Sequence, residues 1–104
     1  MTVYLIHFDQ PIGDLSNPRG QAQHYVGSCD DLAARIARHR AGNGSAIMAY
    51  VSQAGIAWQV ARCWEGGRTT ERRIKARKNA RALCPICSGE IAYRRATHYS
   101  EKGN

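Results

Sequence analysis

The chain has 104 residues, 43% of them hydrophobic, with fifteen Lys and Arg against eight Asp and Glu, a net charge of +7 and a pI near 9.7. That length fits one domain around one modest core and leaves no room for a separate recognition domain. No apolar run is long enough to span a bilayer and no leader pattern opens the chain, so we expect a cytoplasmic protein with reduced thiols, no membrane contact and, from its excess of cations, a polyanionic partner.

Residues 3–8, Val-Tyr-Leu-Ile-His-Phe, are β-branched and aromatic enough for a strand, and their near-continuous apolarity suggests a buried, central one. Residues 9–21 contain Pro11, Gly13, Pro18 and Gly20, which mark a long connection, either a flap over substrate or a neutral insertion. The stretch from His24 to Gly42 then reads as strand, turn and helix. Tyr25, Val26 and Gly27 supply the strand and turn, Asp30 or Asp31 caps the helix, and Gly42 closes it. Leu32 and Ile36 form its apolar stripe. Arg35 and His39, four residues apart, share a face beside that stripe and can look into a cleft at the edge of the core.

Ser45 is placed to cap a second helix over 46–54, ended by Gly55, with Ile47, Met48 and Val51 as its packing face. Ile56, Trp58, Val60, Arg62 and Trp64 then alternate with smaller or polar residues. That period of two predicts a strand with both tryptophans packed on one face. Glu65-Gly66-Gly67 makes a turn, and Thr70 is placed to cap a third helix running to about Arg81. Glu71 is its only acid, against Arg72, Arg73, Lys75, Arg77, Lys78 and Arg81. So one-sided a run repels itself unless a polyanion offsets it, so Arg72, Arg73, Lys75, Arg77 and Lys78, with Arg38 on the earlier helix, are the expected phosphate contacts. The order strand, strand, helix, helix, strand, helix implies a small α+β domain over residues 1–88, its three-stranded and largely antiparallel sheet covered by helices. Residues 89–104 form a tail expected to be poorly ordered.

Hydrolysing a phosphodiester requires an oriented water, an acceptor for its proton, cations on the phosphoryl oxygens and charge to offset the leaving oxygen. Arg35 offers a planar fork for a nonbridging oxygen, Glu71 a hard ligand for one Mg²⁺, Tyr4 and Tyr25 hydroxyls for the water, and His39 a proton carrier near neutral pH. Each also has a plain structural alternative. Tyr4 suits a core position, Arg35 a helix surface, His39 a helix C-terminus and Glu71 a first helical turn.

The order and spacing of these residues single out one family. VYLIHF, then HYVG, then Arg35 eight residues after Gly27, then a glutamate in a later helix, resembles the GIY-YIG nuclease superfamily across residues 2–88. Thr2-Val3-Tyr4 stands where that family has Gly-Ile-Tyr, and Tyr25-Val26-Gly27 matches its second motif. The resemblance implies a metal-dependent endonuclease acting on DNA, with Tyr4 and Tyr25 near the attacking water, Arg35 on the scissile phosphate, His39 beside it and Glu71 holding Mg²⁺ or Mn²⁺. Thr2 departs from the family's small glycine. The asparagine that many members carry after the glutamate helix falls near Cys84, and Asn79 replaces it only if the helix ends early. The rival reading is a non-catalytic nucleic-acid-binding module with the same fold and basic surface. For the nuclease, which has no separate recognition domain, substrate selection would come from DNA shape, a homo-oligomer or a protein partner.

Cys84 and Cys87 have the spacing of half a zinc site. Completing it would draw on Cys29, Cys63 or His98 from far along the chain. The expectation is therefore against a structural Zn²⁺ and for two thiols packing the end of the third helix.

Overall fold

Residues 3–8 are all buried, and a strand apolar on both faces has to lie inside a sheet that is covered on both sides. The computed structural model, which describes residues 1–17 and 20–88, places it there. Strand β1 (Thr2–Gly13) lies between β2 (Gln21–Cys29) and β3 (Trp58–Glu65) and pairs with both in antiparallel fashion. The expected α+β class and three-stranded antiparallel sheet are what the chain forms.

Helices α1 (Leu32–Arg40) and α2 (Ala46–Gln53) cover one face, and α3 (Arg68–Arg77), α4 (Ala80–Leu83) and α5 (Pro85–Ser88) the other. Alternation along β1 divides the core accordingly. Tyr4, Ile6 and Phe8 pack with Met48 and Val51 and with the half-buried Leu32 and Ile36, while Val3 and Leu5 pack with Val26, Ala61, Ile74 and Cys84. Asp31 caps α1 by accepting a hydrogen bond from the Ala34 amide at 3.1 Å, and Gly42 follows the helix with φ +82°; Ser45 caps α2 through the Met48 amide. Among the described residues no helix is long and apolar enough to cross a membrane.

Four local expectations need correction. The long connection after Phe8 is mostly strand, because β1 continues past Pro11 to Gly13. Pro11 is tolerated there since the β1–β2 register is irregular between His7 and Ile12. Gly27 makes no turn and lies inside β2, opposite Tyr4. The two tryptophans face opposite sides of the sheet. Leu5 pairs with Arg62 but Ile6 with Val60, so one extra residue in β3 reverses the alternation, sending Trp58 to the α1–α2 side and Trp64 to the other. Helix α3 begins at Arg68 rather than after Thr70 and ends at Arg77, where Lys78 turns left-handed with φ +52° and leads into the separate α4. The tail over 89–104, with His98, lies outside the described residues.

Candidate active site

An open, polar cleft of about 340 Å³ runs along the free edge of β2, lined by Tyr25, Gly27, Ser28, Arg35, Arg68, Glu71, Arg72 and Lys75. Because strand side chains alternate, Tyr25 and Gly27 turn toward the α1 side of the sheet and Ser28 toward α3. Helix α1 brings Arg35 to the cleft from one side. From the other, α3 presents Arg68, Glu71, Arg72 and Lys75, spaced i, i+3, i+4 and i+7 on one helical face. Ile74, on a flank of the same helix, is buried in the core.

Among the described residues, Glu71 is the one carboxylate lining this cleft. The Ser28 hydroxyl donates to its Oε1 at 2.6 Å and Lys75 Nζ lies 2.9 Å from its Oε2. Burial pushes the Glu71 carboxyl up, but the Ser28 hydrogen bond, Lys75 and Arg68 more than offset this, so it stays below the ordinary carboxylate range. It is therefore ionised at neutral pH, facing four cations.

Tyr4 and His39 lie behind the cleft rather than on it. Both are fully buried, with the Tyr4 hydroxyl 2.8 Å from His39 Nε2. The Tyr25 ring bridges this pair to the cleft, its centroid 6.2 Å from Tyr4 and 5.6 Å from His39. Burial, reinforced by Tyr25, pushes the Tyr4 hydroxyl up to about 12 in spite of the Arg35 guanidinium. Burial, with Arg35 and Arg38 nearby, lowers the His39 pKa, which keeps its imidazole neutral. Two glycines make room for the pair. A Cβ on Gly27 would come 2.6 Å from the Tyr4 hydroxyl oxygen, and one on Gly44 would overlap the His39 ring. His39 Nδ1 has no hydrogen-bond partner among the described residues.

The cleft thus gathers Tyr25, Arg35, Glu71, Arg72 and Lys75, with Tyr4 and His39 one layer deeper. Arg38, Arg73 and Arg77 are exposed and do not line it, and Lys78 lines an adjoining hollow with His24 and Ile74. Asn79 meets the condition that the glutamate helix end early, yet it sits half-buried at the head of α4, outside the cleft lining. Two cleft residues were not singled out in the sequence. Arg68 joins the Glu71 face only when α3 starts two residues before Thr70, and Ser28 follows Gly27 as an unremarkable strand serine.

The sequence reading also misplaced the partners of Cys84 and Cys87. Cys29 is buried in the α1–α2 core and Cys63 is exposed, whereas His7 and His24, directly paired across β1 and β2, meet the two thiols. The four ligand atoms all lie within 4.8 Å of one another, an arrangement that can hold a metal ion. Burial, aided by His7 and Arg81, pushes His24 down to about 4, and burial with the neighbouring Cys84 pushes the Cys87 thiol up to about 11. A Cys-x-x-Cys pair needing two more ligands, in a chain with a histidine on each of two successive strands, was the available signal. Comparison with protein-family models, curated proteins and solved structures found no match.

Proposed function

We propose that the protein is a metal-dependent endonuclease of the GIY-YIG type that hydrolyses DNA phosphodiester bonds in the β2-edge cleft. The observation that carries this reading is the convergence of Tyr25, Arg35 and Glu71, from three different elements, on one open cleft rimmed by Arg68, Arg72 and Lys75. These are the residue types the reaction requires, and the motif order noted above brings the same set together.

Arg35 binds the nonbridging oxygens of the scissile phosphate with its planar fork. Arg68, Arg72 and Lys75 hold the flanking backbone. The Tyr25 hydroxyl orients the attacking water. Tyr4 stays protonated at neutral pH, so it acts as a donor and relay, and the neutral His39 behind it is the group able to take up the proton. Glu71 presents hard oxygens to an open polar cleft, and a single carboxylate of this kind suits an ion that keeps most of its waters. Glu71 would hold Mg²⁺ or Mn²⁺ there, and the ion would supply charge to offset the leaving oxygen.

The test is cleavage of supercoiled plasmid and of labelled single-stranded, duplex and branched DNA with Mg²⁺, Mn²⁺ or EDTA. Glu71→Ala and Arg35→Ala should each lower cleavage by at least about 100-fold with circular dichroism unchanged. Cleavage at the parental rate by the double variant would refute the assignment. The burial of Tyr4 and His39 away from the cleft favours one second reading, a nucleic-acid-binding module without chemistry. Salt-sensitive binding with no product in any metal would establish it.

A further inference from the structure

We propose that His7, His24, Cys84 and Cys87 form a structural Zn²⁺ site that staples α4 and α5 to the β1–β2 hairpin. The site is separate from the Glu71 cleft, and its test does not depend on the nuclease reading.

The hairpin supplies half of the ligand set. His7 and His24 are cross-strand partners, and their rings stand 5.4 Å apart at 62°. The cysteines come from the opposite end of the chain, 77 positions from His7 in the case of Cys84. Cys84 Sγ lies 3.6 Å from His7 Nδ1, Cys87 Sγ 3.5 Å from the same nitrogen, and Cys87 Sγ 3.3 Å from His24 Nε2. Zn–S and Zn–N bonds of about 2.3 and 2.05 Å at a tetrahedral angle place sulfur and nitrogen about 3.6 Å apart. These three of the six edges lie within about 0.3 Å of that value.

Hydrogen bonding alone accounts for this arrangement poorly. His7 Nδ1 has one proton or one lone pair in the ring plane, yet two sulfurs approach it equally closely. An ion at the centre takes one lone pair from each of the four groups and leaves none in competition. Two thiolates also balance the charge of Zn²⁺, so the assembled site is neutral, as the full burial of Cys84 and the near-complete burial of His7 require. Two sulfurs and two imidazoles in a tetrahedron select Zn²⁺ over the hard cations that suit Glu71. Four protein ligands leave no open position, which makes the site structural rather than catalytic.

The fold supplies a need for it. Helices α4 and α5 are four residues each, far too short to persist alone. Apart from the buried Pro85 of α5, Leu83 and Ile86 give them only partly buried anchors on the sheet. A metal bond to β1 and β2 fixes both helices at once.

The experiment is metal analysis of the full chain purified without added metal, followed by chelation and titration of the reduced protein with Zn²⁺ and with Co²⁺ against a chromophoric competitor. The expected result is one Zn²⁺ per chain, a Tm that falls on chelation and returns with Zn²⁺, and the visible absorption of tetrahedral Co²⁺ bound by sulfur. Cys87→Ser and His24→Asn alter half-buried positions and should each weaken Zn²⁺ binding by at least about tenfold. Cys63→Ser, at an exposed thiol outside the cluster, should leave it unchanged. Three results would each overturn the proposal: no Zn²⁺ uptake by the reduced parent chain, undiminished uptake when Cys87→Ser and His24→Asn are combined, or a Cys84–Cys87 disulfide in protein kept under reducing conditions.

Discussion

Gly27 is a glycine because Tyr4 fills the space that a side chain would take. A Cβ there would approach the Tyr4 hydroxyl oxygen to 2.6 Å and Cζ to 2.7 Å, and Tyr4 is fully buried with nowhere to retreat. Gly27→Ala should therefore cost about 1–3 kcal/mol, as overpacking does, read as a lower urea midpoint at unchanged m-value. His39 yields a pH dependence. Tyr4, Tyr25 and Trp58 face its ring from the sheet, and Arg35 and Arg38 act on it from its own helix. Its folded pKa lies below the unfolded value, so between the two the unfolded chain binds more protons and stability falls as pH falls. Above about pH 6.5 the stability is fully present. Urea midpoints measured from pH 7.5 to 5 should decline, and by less in His39→Gln. The spacing of Arg35 and His39 was legible in the sequence, since four residues are one helical turn. That one of them would face the cleft and the other be sealed behind Tyr25 was not, because this depends on how α1 rolls against the sheet.

Helix α3 has two charged populations that composition cannot separate. Arg68, Glu71, Arg72 and Lys75 look into the cleft, while Arg73 and Arg77 point elsewhere. If DNA lies in the cleft, Arg72→Gln should weaken duplex binding and reduce the slope of log affinity against log salt by about 0.9, the value for one phosphate contact. Arg77→Gln should change that slope by much less. Fluorescence anisotropy of labelled duplex across a salt series distinguishes them, and equal effects would mean that DNA contacts the whole helix rather than one face. The existence of α3 was plain from its composition, but its ends were not. Gly67 rather than Thr70 precedes its first turn, and the left-handed Lys78, followed by the weak helix former Asn79, parts it from α4.

At the scale of the whole molecule, β1 is the common wall of both halves of the core. The near-continuous apolarity of residues 3–8 announced a central strand, and this is why the fold class was readable. Registers were not readable, since the extra residue that turns Trp64 away from Trp58 and the pairing of His7 with His24 exist only once strands are aligned. The shared wall has a consequence for unfolding. Leu5 and Ile6 are adjacent and fully buried, yet they serve opposite clusters. Leu5→Ala and Ile6→Ala should each cost about 2–5 kcal/mol, and neither half should survive the loss of the other, because both need β1 in place. The tryptophans report on this separately. Trp58 belongs to the α1–α2 cluster and Trp64 packs on the α3–α5 cluster. Trp64→Phe leaves a fluorophore on the first face and Trp58→Phe one on the second. In each variant, urea unfolding followed by fluorescence should coincide with that followed by far-ultraviolet circular dichroism. A Trp64 signal that moves at lower urea than the dichroism would mean that the α3–α5 face opens first, with β1 held by the other face alone.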